Sequence, residues 1–315
     1  MLSRVANAVY WSSRYVERAE NVARFIDVNL NLMLDSTTRE RPSWEPLVLT
    51  SGDQDYFHEH YGEASAEAVA WFLTFDGSYP NSILSTVSRA RENAQTVREV
   101  ISREMWQELN EFYLMLKEAS GKSFSLGEMS EFYAQVKRRG IYYEGVTEAT
   151  LSHGEPWYFT RLGRLLERAD KTSRILDVKY FVLLPNVGDV GSTVDQVGWS
   201  ALLNSASALQ MYRQLYHSTT PHNVAQFLLL NRDFPRSINY CVRKSQESLN
   251  AITGTTSEES FSKPERRLGQ LRAKLSFDQI GDVIAFGLHE YIDQLQVSLN
   301  EASAAIQHQF FDMQQ

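Results

Sequence analysis

The sequence predicts an all-α protein: a tandem-duplicated helical bundle with about ten to twelve helices in two pseudo-equivalent halves. Three observations lead to this prediction: turn residues are sparse, apolar residues recur at helical spacing, and one charged motif is written twice. Only 16 glycines and 8 prolines punctuate the 315 residues. A β-sandwich or barrel needs turn residues about every 8–12 positions, and no convincing run of strand-type alternation is present.

Two long helices are predicted, one at the start of each half. Over residues 2–34 the apolar positions recur every three or four residues and fall within an arc of about 100° on a helical wheel. The second long helix is predicted to begin in the stretch GEPWYFTRL. Pro156 suits the first turn of that helix, and the helix should end before Pro185.

Capping patterns predict further helix starts, because a Ser or Thr before a helix, an acid or amide three residues later, and an early proline satisfy the first turn. The patterns are Thr220-Pro221, Ser125-x-x-Glu128, Ser276-x-x-Gln279, Tyr79-Pro80 and Phe234-Pro235.

Alignment of the chain with itself indicates the duplication. Residues 14–29 align with 164–179 at a shift of 150, and seven of the sixteen positions are identical. Residues 44–94 align with 199–249 at a shift of 155 without a gap, with twelve identities. A repeat of this length indicates that one structural unit occurs twice.

The division that follows from the alignment has three parts. We predict a first helical repeat over residues 1–118, a connecting helical segment over 119–150, and a second repeat with C-terminal helices over 151–315.

The duplicated charged motif reads Arg-x-x-Glu-Arg-Ala in both halves and contains the candidate site residues. Five of the seven identities between residues 14–29 and 164–179 are charged. Exposed ion pairs contribute only about 0–1 kcal/mol, so charges on a solvated face could change between the copies at little cost. Three interpretations stay open: a solvated face opposite the apolar arc, a buried ionic seam joining the two copies, or a site that grips an anion or carboxylate. The candidates for substrate or anion binding are Arg14, Glu17, Arg18, Arg24, Arg164, Glu167, Arg168 and Arg174.

The paired motif, the opening MLSRVANAVYW and the duplicated helical layout resemble the alpha-E domain family. The resemblance runs along nearly the whole chain, and it carries the Glu-Arg pair of that family onto Glu17-Arg18 and Glu167-Arg168. It implies a bacterial system that makes or modifies small peptides. The implied partners are a circularly permuted ATP-grasp-type protein and a transglutaminase-like protein, beside a proteasome-like hydrolase.

Two functions from different classes follow from this resemblance. In the first, the chain is a helical partner subunit of an ATP-grasp-type peptide synthesis or modification system, and it binds the ligase or its anionic substrate. In the second, it is a transferase or an amide-bond-forming enzyme. There Glu17 or Glu167 would be the base, and the arginines would hold an acyl phosphate or carboxylate.

Composition narrows the partners and the compartment. A net charge of −8 argues against a general nucleic-acid-binding role. Cys241 is the single cysteine, which fits a reducing compartment, and a buried structural thiol is expected there. No secretory signal and no run of about 18 apolar residues is found, so we expect a cytoplasmic protein without a membrane partner.

Cofactor and metal motifs are missing from the sequence. There is no Walker loop, G-x-G-x-x-G, G-x-S-x-G or His-Glu-x-x-His motif, so no cofactor and no metal are expected. His58 and His60 do not converge on one helical face, and the other histidines are expected at caps or on the surface. Asp278 and Asp282 would share a face of one helix, a spacing that holds magnesium on a diphosphate. Prenyl-synthase-like enzymes need two such motifs, and only one is found.

Overall fold

The computed structural model describes residues 1–35, 43–182, 193–255 and 262–312. These residues form fifteen α-helices and no strand, which confirms the all-α class. The count exceeds the predicted ten to twelve. The additional helices are short, at five to nine residues each, and such segments are too brief for a periodic apolar pattern to identify them.

The helices of the first half, in chain order, are α1 Ser3–Asp35, α2 Glu45–Ser51, α3 Gln54–Tyr61, α4 Ala66–Thr74, α5 Ile83–Gln95, α6 Arg103–Ala119 and α7 Leu126–Thr150. Those of the second half are α8 Glu155–Val182, α9 Thr193–Ser205, α10 Leu209–Leu215, α11 Pro221–Ala225, α12 Ile238–Thr253, α13 Lys263–Phe277, α14 Ile280–Phe286 and α15 Leu288–Ile306. Two π-helical turns, Gln226–Leu230 and Gln307–Phe311, continue α11 and α15.

The two halves repeat one order of helices, with α14 as an insertion in the second. In the first half α1 packs against α5 and α7, and α6 packs against both of the latter. In the second half α8, α12, α13 and α15 make the same set of contacts. Helix α7 therefore has the position in its bundle that α15 has in the other. The division at residues 118 and 150 stays a prediction, and this arrangement favours placing α7 in the first repeat.

The first turns of α5 and α12 show the same correspondence in detail. The helices begin at Ile83 and Ile238, at the shift of 155 found in the sequence. Each is capped by a serine, Ser82 or Ser237, whose hydroxyl accepts a hydrogen bond from a backbone amide three residues on. These serine caps explain why both helices begin three residues after the proline that the sequence pattern marked.

The two long helices, α1 and α8, join the halves and pack extensively on one another. Each gives its first turns to the core of the other half: residues 5–10 of α1 lie in the second core, and Trp157 of α8 lies in the first. The short helices cross over as well, because α2 packs on α8 and α9 packs on α1. Hydrophobic burial is thus shared between the halves, and neither core is complete without both long helices.

The remaining capping predictions have mixed outcomes. Thr220 caps α11, and Ser125 with Glu128 forms a capping box at α7, as predicted. The prediction at Ser276 was wrong, because α13 continues through that residue and Gln279 is the residue before α14. Pro185 lies outside the described residues. No helix in the described ranges is long and apolar enough to cross a membrane.

Candidate functional site

The two charged motifs face each other across the contact between α1 and α8. Glu17 and Glu167 are both almost completely buried. A helical wheel shows one helix with a single apolar face, but α1 is covered by α5, α7 and α8 on several sides. The face opposite the apolar arc is therefore inside the protein, and the solvated-surface interpretation does not describe it.

The motif glutamates and arginines pair reciprocally between the halves. Arg18 donates from Nε to Glu167 Oε1 at 2.6 Å and from Nη2 to Oε2 at 3.1 Å. Arg168 donates from Nε to Glu17 Oε1 at 2.9 Å and from Nη2 to Oε2 at 2.7 Å. Both contacts are bidentate, the geometry in which a planar guanidinium binds a carboxylate most strongly. Each Glu-Arg motif thus supplies the acid for the arginine of the other motif.

Further charged groups surround the pair formed by Arg18 and Glu167. We call this pair and the groups around it the first cluster. Arg14 donates from Nε to Glu167 Oε2 at 2.9 Å, and the ammonium of Lys171 lies 3.6 Å from Oε1. Lys171 also contacts Asp170 at 3.0 Å, so one cation bridges the two carboxylates of α8. Arg174 donates from Nε to Asp170 at 3.1 Å.

The pair around Glu17 is extended differently, and we call it the second cluster. Arg236, just before the N-cap of α12, donates to Glu17 Oε1 at 3.1 Å and also to Glu20. Arg24 donates from Nη2 to Glu20 at 2.6 Å. On the other side of the pair, Glu144 of α7 forms ion pairs with Arg168 at 2.8 Å and with Arg164 at 3.3 Å.

The electrostatics hold both glutamates in the charged form. Burial alone would raise the pKa of Glu17, but the charges of Arg168 and Arg236 lower it far below its ordinary value. Burial would likewise raise the pKa of Glu167, yet Arg18 and Arg14 hold it well below its ordinary value. Each carboxylate has both oxygens engaged by arginine, so neither is available to accept a proton at neutral pH.

Beside the first cluster lies an open cleft of about 360 Å³. Its wall is formed by α1, α8, the turn between α2 and α3, and the residues before α5. The cations on it are Arg14, Arg18, Lys171 and Arg174, and the carboxylates are Asp53 and Asp170. The remaining lining includes Tyr79, Asn81, Gly52 and the apolar side chains of Val22, Phe25, Leu47 and Leu73.

The eight candidates predicted from the sequence thus gather in two adjacent clusters. Arg14, Arg18, Glu167 and Arg174 belong to the first, and Glu17, Arg24, Arg164 and Arg168 to the second. Arg236 is a further member of the second cluster that was not predicted from the sequence. The signal was present, because Arg236 aligns with Asn81 at the shift of 155, between matched prolines and serines. A single substitution inside a repeat gave no indication that its side chain reaches α1.

Two other predicted features have clear outcomes. Cys241 is fully buried, as expected, and burial raises the pKa of its thiol to about 12. Asp278 and Asp282 do not share one helix, because Asp278 follows the end of α13 and Asp282 belongs to α14. The diphosphate–magnesium interpretation therefore loses its geometry.

One cluster of metal-binding residue types was not noticed in the sequence. Asp177, His289 and Asp293 bring their ligand atoms within 4.8 Å of one another, and His289 Nδ1 lies 2.7 Å from Asp177 Oδ1. This hydrogen bond accounts for the proximity of Asp177 and His289. The prediction that the protein holds no metal stays a prediction.

Comparison with known proteins gives a family and distant relatives. The model of the Alpha-E family, described as a predicted alpha-helical domain with a conserved ER motif, matches residues 1–311. Uncharacterized protein Rv2567 of Mycobacterium tuberculosis is 23% identical over 313 residues, and Uncharacterized protein Mb2597 of Mycobacterium bovis is 22% identical. Each match covers 93% of this chain and 34% of the relative, so the chain spans about a third of their length. No solved structure matches.

Proposed function

Because this chain belongs to the Alpha-E family, we propose that it is a helical partner subunit of an ATP-grasp-type peptide synthesis or modification system. In this proposal it binds the ligase or the ligase's anionic substrate, and it does not form the amide bond itself. The ligase is a circularly permuted ATP-grasp-type protein, and a transglutaminase-like protein belongs to the same system.

The observation that carries this proposal is the state of the two motif glutamates. A general base must be able to take up a proton near the working pH. Glu17 and Glu167 are instead buried, held by bidentate arginines, and have strongly lowered pKa values. This favours a supporting role for the Glu-Arg motifs, which clamp α1 to α8. The alternative enzyme, with one of these glutamates as base, is disfavoured.

Two further observations support a subunit that works with a partner. The curated relatives are about three times as long as this segment, so in those proteins an Alpha-E segment shares its chain with further sequence. The open cleft beside the first cluster collects four cations on a protein of net charge −8. Arginine suits the recognition of carboxylates and phosphates, as an acid substrate or acyl phosphate of a ligase would require.

A reconstitution experiment tests the proposal. The purified chain is mixed with the ATP-grasp-type protein of the same organism, ATP and amino acids, and peptide products are followed by mass spectrometry. We expect product formation to change in rate or identity when the chain is added, and we expect none from the chain alone. The same product at the same rate without the chain would refute the partner role. Product from the chain alone would establish the enzyme alternative.

A pair of variants connects this activity to the cleft. Arg174→Ala removes a cation whose side chain is 27% exposed at the cleft, and it should reduce the stimulation. Arg138→Ala removes an exposed cation of α7, 64% accessible, and changes the net charge by the same amount. This variant should leave the stimulation unchanged, because Arg138 forms an exposed ion pair with Glu131 and does not line the cleft. Equal loss in both variants would indicate a general charge effect and count against the cleft.

A further inference from the structure

The two charged clusters occupy corresponding places in the repeat, but the bridging cation comes from the turn before α12 in one cluster and from α8 in the other. In the second cluster Arg236 bridges Glu17 and Glu20. The neighbouring residue of α1, Asn21, is uncharged and does not supply the bridging cation. In the first cluster Lys171 of α8 bridges Glu167 and Asp170. Lys171 aligns with Asn21 at the shift of 150. The bridging charge has thus moved from one element to another between the two copies.

This exchange removes a large side chain from the first cluster. The residue that aligns with Arg236 is Asn81, which is too short to reach Glu167 in the way that Arg236 reaches Glu17. It instead accepts a hydrogen bond from Arg18 Nη1 at 2.6 Å. As a result, the cations of the first cluster are accessible from the cleft. The side chains of Arg18 and Lys171 are 17% and 15% exposed, whereas that of Arg168 in the second cluster is 5% exposed.

A second aligned pair leads to the same difference. Gly52 follows α2 with φ +79°, and Ser207 has the corresponding left-handed conformation after α9, with φ 50°. Ser207 places its hydroxyl on Arg24 in the second cluster. Gly52 has no side chain, and Arg174 Nη1 lies 3.4 Å from the point where a Cβ would be. Within the described residues, Arg174 donates hydrogen bonds only from Nε, to Asp170, so its terminal nitrogens face the space beside Gly52.

The cleft carries charges of both signs at neighbouring positions. Asp53 follows Gly52 directly, and its Oδ2 accepts hydrogen bonds from Tyr79 at 2.7 Å and from Asn81 at 3.4 Å. Burial and the bond to Asp53 raise the pKa of Tyr79, so its hydroxyl keeps its proton and stays a donor. Arg174 Nη1 lies beside Gly52, the residue before Asp53, so the cleft wall carries both a cation and a carboxylate. Asp53 takes part in none of the ion pairs within 4 Å that the described residues form with one another.

The size and apolar lining of the cleft set the scale of its ligand. Its volume of about 360 Å³ is near the lower end of small-molecule sites, which span about 300–1,000 Å³. Val22, Phe25, Leu47 and Leu73 give it an apolar portion. A ligand that fits all these features is small, carries one anionic and one cationic group, and has an aliphatic part.

We propose that this cleft binds a free amino acid or a short peptide through both charged ends. Arg174, with Arg18 behind it, holds the carboxylate, Asp53 holds the ammonium group, and the side chain of the ligand packs on Val22, Phe25 and Leu47. The second cluster is a sealed copy, in which Arg236 and Ser207 fill the corresponding space. This inference deepens the proposed partner role, on which it rests for the biological use of the ligand.

Calorimetric titration of the full chain with L-alanyl-L-leucine tests the chemistry. The dipeptide is compared with its N-acetylated form and its C-terminal amide, each of which lacks one charged end. It is also compared with free L-leucine, which shows whether the site takes one residue or two. We expect one site, and we expect each blocked form to bind about tenfold more weakly, because each loses a hydrogen-bonded charge. Absence of binding by both free probes at millimolar concentration overturns the proposal. Equal binding of free and blocked forms overturns it as well.

Variants that exchange residues between the copies locate the site. Asn81→Arg introduces the residue of the second cluster and should abolish binding while the melting temperature is kept. Ser207→Gly makes the opposite exchange in the sealed copy and should leave binding unchanged. If Asn81→Arg does not fold, Arg174→Gln at the cleft mouth replaces it, with the same expected loss. A folded variant of either position that binds like the parent places the ligand elsewhere and refutes the proposal.

This titration uses the isolated chain, so its outcome is separate from that of the reconstitution with the ATP-grasp-type protein. Dipeptide binding without any effect on the partner would leave the cleft assignment standing and remove the proposed function. An effect on the partner without dipeptide binding would do the opposite.

Discussion

The pairing of Glu17 with Arg168 gives the sharpest test of what the Glu-Arg motif does. Glu17→Ala removes a buried carboxylate and leaves Arg168 with Glu144 and Arg236 with Glu20. Arg168→Ala removes the other partner and leaves the acid to Arg236 and Asn21. Breaking one partner of a buried pair costs about 3–5 kcal/mol. Because Glu144 and Glu20 still pair with these two arginines, we expect Glu17→Ala to cost about 3 kcal/mol, the lower end of that range.

The double variant isolates the interaction from the separate costs of the two residues. Because Glu17 and Arg168 share a bidentate contact, their effects should not add. We expect the double variant to be more stable than the sum predicts by about 1–3 kcal/mol. The exposed pair Glu118–Lys122, with side-chain exposures of 73% and 57%, is the matched control and should couple by less than about 0.5 kcal/mol.

Urea denaturation followed by circular dichroism measures all these free energies of unfolding. In a separate thermal melt, the melting temperature should fall by roughly 6 °C for Glu17→Ala, at about 2 °C per kcal/mol for a chain of this size. If the buried pair couples no more strongly than Glu118–Lys122, the clamp between α1 and α8 is not a stabilising contact. The Glu-Arg motif would then have a role other than joining α1 to α8.

Three further predictions follow from the buried groups. The two motif glutamates have lowered pKa values in the folded protein, so their stabilisation is complete above their unfolded pKa of about 4.3 and is lost progressively as the pH falls from there through their lower folded pKa; a melting temperature that stays flat from about pH 5 to pH 3 would contradict this. Gly163→Ala should destabilise by about 1–3 kcal/mol, since its Cβ would collide with the backbone carbonyl oxygen of Tyr10, whereas Gly145→Ala meets no atom within 4 Å and should be neutral or stabilising in urea denaturation. Cys241, buried and with a raised thiol pKa, should resist a thiol reagent until urea unfolds the chain, and rapid native labelling would show that it is reachable.

Part of the candidate site could be predicted because the repeat preserves charge. The eight arginines and glutamates of the two motifs all lie in the clusters at the α1–α8 contact. Their partners could not be read from the sequence. On a helical wheel Glu17 is within reach of Arg14, one turn before it. In the structure these two residues belong to different clusters, because each motif glutamate pairs with an arginine of the opposite long helix.

The sequence by itself determined the helical class, the duplication and several helix starts. These properties depend on local periodicity and capping, as at Thr220 and Ser125, and on the comparison of the chain with itself. Only the tertiary structure decided that the charged face is buried, since burial depends on how many helices surround α1. It also decided that Arg236 seals one cluster while Asn81 leaves the other open. That difference arises from contacts between residues more than 200 positions apart, as for Arg236 and Glu17, which no local pattern encodes.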